Sequence, residues 1–150
     1  MLKGNYGRII LTVVLVNTAV VSIYVDWNET HLFNPQWTGH AKFHDAAMLH
    51  LLAGVCAVGL WLMWRRSPEP EIGVRVAALI PIIFWAAFWY TTTLLPETSL
   101  RATESEAIPT FAGLTLYPNF ILATINNALA ALGYFVYRRE NAAALNIKNQ

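Results

Sequence analysis

Charge is scarce in this chain. Only 13% of its 150 residues are Asp, Glu, Lys or Arg, about half the share in an average soluble domain. What charge exists nearly cancels, with ten basic residues against nine acidic ones. No basic stripe is left to hold a phosphate backbone, so nucleic acid is excluded as a partner. Cysteine occurs once, at Cys56. That excludes an intramolecular disulfide, a cysteine-rich zinc site and any chemistry that shuttles disulfides through paired thiols. Disorder is excluded by the opposite feature, a hydrophobic share of 56% and a mean hydropathy of +0.42. The length suits one domain, and neither an internal repeat nor a low-complexity tract interrupts it.

The apolar residues fall in four runs, at about residues 9–25, 46–64, 74–95 and 118–137. Each is of the length a membrane-spanning helix needs, about 17–25 residues. The second is expected to begin as a helix at about residue 40, capped by Thr38 or Gly39. Pro81 interrupts the third, which a membrane helix tolerates where neighbours satisfy the freed carbonyl. The first run follows a basic start, but no small-x-small cleavage site follows it, so it reads as a retained helix. The fold class is therefore an all-α membrane protein, a single four-helix transmembrane bundle over residues 1–150.

Four spans put both termini on one side. That side carries Lys3, Arg8, Arg65, Arg66, Arg75, Arg138, Arg139 and Lys148, eight of the ten basic residues. Basic residues mark cytoplasmic loops, so the termini are expected in the cytoplasm. Two long loops, about 26–45 and 96–117, then face outward with six of the nine acidic residues. A bacterial inner membrane or an endoplasmic-reticulum-type membrane fits, with the histidine-rich loop on the non-cytoplasmic side.

All four histidines, His31, His40, His44 and His50, lie in or just after the first long loop. Trp27, Phe33, Trp37 and Phe43 are interleaved with them, as expected at a membrane interface. His40 and His44 are four apart, which on a helix brings both rings to one face. Neutral imidazole suits zinc, iron and copper. With His31 they form an expected metal set of three, the layout that leaves a position open for catalysis. Asp26, Glu29 and Glu97 are the expected catalytic carboxylates, completing or orienting that site. Two other readings stay open: a metal-free histidine–carboxylate acid–base site, and histidines that only bond loop carbonyls. Tyr90, Thr92 and His50 stand near the outer end of the apolar runs and are expected, with Asn28, Trp37 and Asn126, to line a substrate pocket. Asn17, Asn126 and Asn127 lie about 12 Å below the outer helix ends. They read first as interhelical amide bonds and second as a polar pocket floor. Glu104 and Glu106 read as solvated surface charge, and residues 112–114 as a re-entrant or interfacial piece. Cys56 reads as a small packing residue.

The string Asp26-Trp27-Asn28-Glu29-Thr30-His31, then Asn34-Pro35-Gln36-Trp37, then His40-Ala41-Lys42-Phe43-His44 resembles the hallmark of an uncharacterised family of small four-helix membrane proteins of fungi and bacteria. The resemblance implies that Asp26, Asn28, Thr30, His31, Asn34, His40 and His44 are the functional set, with Asp45 and His50 peripheral. Size and topology are also similar to the four-span sterol-isomerase and sigma-receptor-like superfamily.

The expectation is a membrane-embedded enzyme with a histidine-rich site, holding zinc, iron or copper, that acts on a small lipophilic substrate taken from the bilayer. The other expectation is non-enzymatic: an accessory subunit of a larger membrane complex, a homo-oligomer, or a lipid- or metal-binding protein. The orientation is testable with cysteines placed in a Cys56→Ser background. A membrane-impermeant maleimide added to intact cells should label a cysteine at Thr38 and leave one at Ser67 unlabelled; the reverse pattern overturns the assignment.

Overall fold

A computed structural model describes residues 5–101 and 107–142. Glu104, Glu106, Lys3 and Lys148 lie outside the described residues. Four helices carry the fold: α1 (Tyr6–Asp26), α2 (Gly39–Trp64), α3 (Pro70–Leu94) and α4 (Pro118–Glu140). All four are long and apolar enough to cross a membrane; the 21 residues of α1 reach about 31 Å at 1.5 Å each. They form an antiparallel bundle in which α2 and α4 pack on opposite sides of α1 and α3. One end holds the connections α1–α2 and α3–α4 (the loop end). The other holds the start of α1, the end of α4 and the short α2–α3 turn.

The helix starts follow local chemistry. Thr38 caps α2, its hydroxyl accepting from the Ala41 N–H at 3.2 Å. α3 begins at Pro70, four residues before the apolar run, because proline suits the first helical turn. α1 also starts early, at Tyr6. The Glu140 carboxylate at the far end of the chain accepts from the Tyr6 and Gly7 N–H groups at 3.0 and 3.2 Å, satisfying donors a helix N-terminus otherwise leaves open. Pro81 is buried inside α3, and the helix continues through it. Phe111 and Leu114 pair across a two-residue-strand hairpin, β1 (Thr110–Phe111) with β2 (Leu114–Thr115). Ala112 and Gly113 between them both have positive φ, the combination a primed turn requires.

Each helix turns a narrow stripe inward. Leu11, Val14, Leu15, Leu52, Cys56, Met63, Val74, Ala77 and Ala130 make the core, and large apolar side chains such as Val13, Leu51, Ile83 and Phe135 cover the exterior. Water does not favour an apolar surface of that extent; it is consistent with a multi-pass membrane protein. Between apolar helices in lipid, association depends on close packing and polar contacts. Small residues give the first. A Cβ on Gly7 would lie 2.6 Å from the Gly133 carbonyl oxygen and 2.6 Å from the Tyr137 Cα, so α1 and α4 touch backbone to backbone. A Cβ on Gly73 would lie 2.7 Å from the Leu62 carbonyl carbon, which sets α3 against α2.

Indole and amide groups supply the polar contacts. Trp64 donates to the Thr12 hydroxyl at 2.9 Å, Trp85 to Thr18 at 2.9 Å in a buried contact, and Trp89 to Thr124 at 3.2 Å. The asparagine layer forms in part. Asn17 Nδ2 donates to Asn126 Oδ1 at 2.9 Å, whereas Asn127, also buried, has neither side-chain amide atom bonded to a described residue.

A Gly7→Val substitution should therefore cost about 1–3 kcal/mol or more, since backbone cannot rotate away, and lower the melting temperature in detergent. Gly54→Ala, where an added Cβ meets nothing within 4 Å, should leave it unchanged.

Candidate functional site

Two inward stripes end in a carboxylate. On α1 the buried Leu15, Thr18 and Ser22 recur at helical spacing, and four residues on the same face closes with Asp26. On α2 the buried stripe Leu49, Leu52, Cys56, Gly59 and Met63 extends four residues back to Asp45. Both carboxylates thus stand at the loop end, where the packed interior opens. Asp45 acts electrostatically on Asp26, and His31 acts on both. The Asp45 Oδ2 is buried with no hydrogen-bond partner among the described residues.

The first loop folds back over them. The Leu32 N–H donates to the Asp26 carbonyl at 3.0 Å and the Phe33 N–H to the Asn28 carbonyl at 2.8 Å. Asn34, buried, donates from its amide to the Thr30 carbonyl at 3.3 Å and accepts from the Gln36 N–H at 2.9 Å. This tight coil sets His31 against Asp26, with Nε2 3.8 Å from Oδ1. The side chains are 25% and 19% exposed, so solvent reaches them without surrounding them. No hydrogen bond from a described residue reaches the Asp26 carboxylate, which leaves it able to bond a third group. The Trp37 ring stands edge-on to the imidazole, centroids 5.9 Å apart.

The neighbouring bonds fix where the His31 proton sits. Asn28 Oδ1 accepts from the Thr30 backbone N–H at 2.8 Å, and a backbone N–H can only donate. The same oxygen is 2.7 Å from the Thr30 hydroxyl, which must donate its one hydrogen there. The hydroxyl oxygen then faces His31 Nδ1 at 2.8 Å with a lone pair, so Nδ1 carries the hydrogen. In the neutral ring Nε2 is left bare, pointing at Asp26. Asn28 is itself anchored, its Nδ2 donating to the Val25 carbonyl at 2.6 Å. The run Asp26, Asn28, Thr30, His31 is thus one connected device that aims a basic nitrogen at a carboxyl group.

Asp26 and His31 line the rim of a cavity of about 560 Å³, inside the range of about 300–1,000 Å³ usual for small-molecule sites. Its wall is mainly apolar. Val21 and Val25 of α1, Phe84, Trp85 and Phe88 of α3, and Leu122 of α4 supply most of it. Polar groups gather at the loop end: Ser22, Thr91, Thr92, Asn119 and the strap Thr98–Arg101. Asn119 holds that strap by donating to the Leu100 carbonyl at 2.8 Å.

Of the residues expected from sequence, Asp26, His31 and Thr92 line the cavity. Asn28 and Trp37 do not, but position His31. Asn126 lies in the bundle interior, bonded to Asn17. Glu29, Glu97, His50 and Tyr90 are exposed and line no part of it. The expected metal set is not assembled. His40 and His44 pair with each other on the exposed face at the start of α2, while the folded-back loop turns His31 to Asp26. Among the described residues no three His, Cys, Asp or Glu side chains converge where they could hold one metal ion. Asp45, read as peripheral from the sequence, lines no part of the cavity but stands on the inward face of α2 at the same end of the bundle, with Oδ2 buried. Its spacing from Leu49 on the buried stripe is the signal that identifies it.

A family model described as a family of unknown function (DUF6640) matches residues 10–144. No curated protein and no solved structure matches the chain.

The tautomer is open to measurement. In a His40→Gln/His44→Gln/His50→Gln background one imidazole remains, and its ring ¹⁵N signals should show hydrogen on Nδ1 and a bare Nε2. Thr30→Val should abolish that preference. An unchanged spectrum would show that Thr30 does not set it.

Proposed function

For this chain, which belongs to the DUF6640 family of unknown function, we propose a membrane-embedded enzyme that moves a proton on a small lipophilic molecule. The observation that carries the reading is the Asp26–His31 dyad on the rim of an apolar cavity. His31 Nε2 accepts a proton from the substrate, and the adjacent Asp26 carboxylate stabilises the imidazolium so formed. The proton then returns to another atom of the substrate, which makes isomerisation the reaction class that fits best. The gap of 3.8 Å between the two groups is loose for a direct bond, as is common before a substrate draws such groups together. Phe84, Trp85 and Phe88 would hold the hydrocarbon body. Ser99, Arg101 and Asn119 favour an oxygen-bearing head group at the rim. The charge distribution supports termini in the cytoplasm and a cavity that opens on the other side, where the substrate enters from the outer leaflet.

The alternative, a metal-dependent enzyme using His31, His40 and His44 with zinc, iron or copper, needs those rings to converge, and their separation argues for the metal-free route. An accessory-subunit role would use the dyad for nothing.

The test begins with lipophilic molecules extracted from protein purified in mild detergent and read by mass spectrometry. Wild type should carry a bound lipophile, and Ala87→Phe, which fills the cavity, should not. The Asp26→Asn/His31→Gln double variant should retain only the unconverted form. Once that molecule is in hand, either single substitution should slow turnover by about 10²–10⁴-fold, the usual contribution of general acid–base catalysis. The same extract from wild type and Ala87→Phe, or from wild type and the double variant, would overturn the reading.

A further inference from the structure

His40 and His44 stand apart from the dyad and carry a chemistry of their own. Both are exposed on the first turns of α2. Their Nε2 atoms face each other at 3.0 Å, and their rings are perpendicular, with centroids 4.4 Å apart. Two neutral imidazole nitrogens cannot face each other with bare lone pairs. A hydrogen must lie between them, or both must turn their lone pairs to one cation beside the line that joins them. With metal–nitrogen bonds of about 2.0–2.1 Å, two nitrogens in right-angled or tetrahedral positions stand roughly 2.8–3.4 Å apart. The observed separation is inside that bite. Helical spacing holds the two rings side by side, so a metal meets them already arranged. The Phe43 ring, 5.7 Å from that of His44, adds a wall on one side.

We propose that His40 and His44 form a two-nitrogen site for a divalent transition metal at the loop end of α2, separate from the acid–base dyad. The donor set decides the class of metal. Two imidazoles at the positive end of a helix, with Lys42 between them in sequence, give calcium and magnesium nothing they prefer, since those ions take carboxylate and carbonyl oxygens. Copper(II), nickel(II) and zinc(II) take nitrogen, and copper(II) most strongly. Two protein ligands leave the other coordination positions to water or to an exchangeable ligand.

The test uses tag-free protein in detergent, titrated with copper(II) and followed by electron paramagnetic resonance, with zinc(II) as competitor and magnesium as control. One copper per chain should bind, its spectrum split by two equivalent nitrogens, and zinc should displace it while magnesium does not. His40→Ala and His44→Ala should each weaken binding roughly tenfold or more, because either ring alone loses the effective concentration the helix provides. His50→Ala should bind as wild type does. Circular dichroism of each variant, with unchanged helix content, separates loss of a ligand from loss of the fold. The proposal is overturned if copper binds the His40→Ala/His44→Ala double variant as tightly as wild type, if the spectrum shows fewer than two nitrogens, or if wild type binds none.

Discussion

α1 offers one hydrogen-bonding side chain to each of the other three helices, and the bundle depends on that arrangement. Thr12 takes the Trp64 indole of α2, Thr18 the Trp85 indole of α3, and Asn17 bonds Asn126 of α4. In water the burial of Leu11, Leu15 and Val74 would hold such a bundle together. In lipid that gain is absent, because hydrocarbon surrounds each helix whether or not it packs. Polar bonds of this kind are individually modest there, averaging about 0.6 kcal/mol and reaching about 1.7. Their value is that each specifies a neighbour and a register. The glycine contacts act in the same sense, since Gly7 against Gly133 allows one crossing and no other.

The polar interior is not uniform along the bundle. Near the termini Glu71 gathers the Tyr134 hydroxyl at 2.9 Å and Arg75 at 3.1 Å, and Arg8 lies over the rings of Trp64 and Tyr137. Glu71, Tyr134 and Arg75 are closed on one another, whereas the buried Nε of Arg8 has no hydrogen-bond partner among the described residues. At the loop end it is the carboxylates that are open. Asp26 ends its stripe with Oδ1 3.8 Å from His31 Nε2 at the rim of the cavity, and Asp45 ends its own with Oδ2 buried and unpartnered among the described residues. Unpartnered polar atoms thus occur at both ends, and the glycine contacts and interhelical bonds between them hold the frame.

The four helices were legible because each run is long and evenly apolar, a signal that needs no knowledge of packing. Their ends were less so. The starts of α1 and α3 depend on Glu140 and Pro70, and Glu140 is remote in sequence from the helix it caps. The Asn17–Asn126 pair could be read from depth alone; the solitary Asn127 could not, since depth does not give rotation. The site was half legible. The motif around Asp26 and His31 contains two residues that line the cavity rim, but spacing along a loop says little about where its side chains point relative to His40 and His44. The backbone bonds of residues 26–34 turn His31 away from them. Asp45 was accessible to helical-phase reasoning from Leu49 and Leu52. The three indole–threonine bonds were not, since tryptophan at these positions reads equally well as lipid-facing.

The bond from Glu140 to the start of α1 has a consequence for synthesis. A chain emerges from the ribosome amino end first, so α1 is made before the other three helices, yet the group that caps it is 133 or 134 residues later. Until that group arrives, the first turn of α1 has open donors and its Gly7 surface no partner. The nascent helix must wait, incomplete, through the making of the other three. Assembly cannot finish helix by helix in order of appearance. It closes in one late step, when the last turn of α4 meets the first turn of α1.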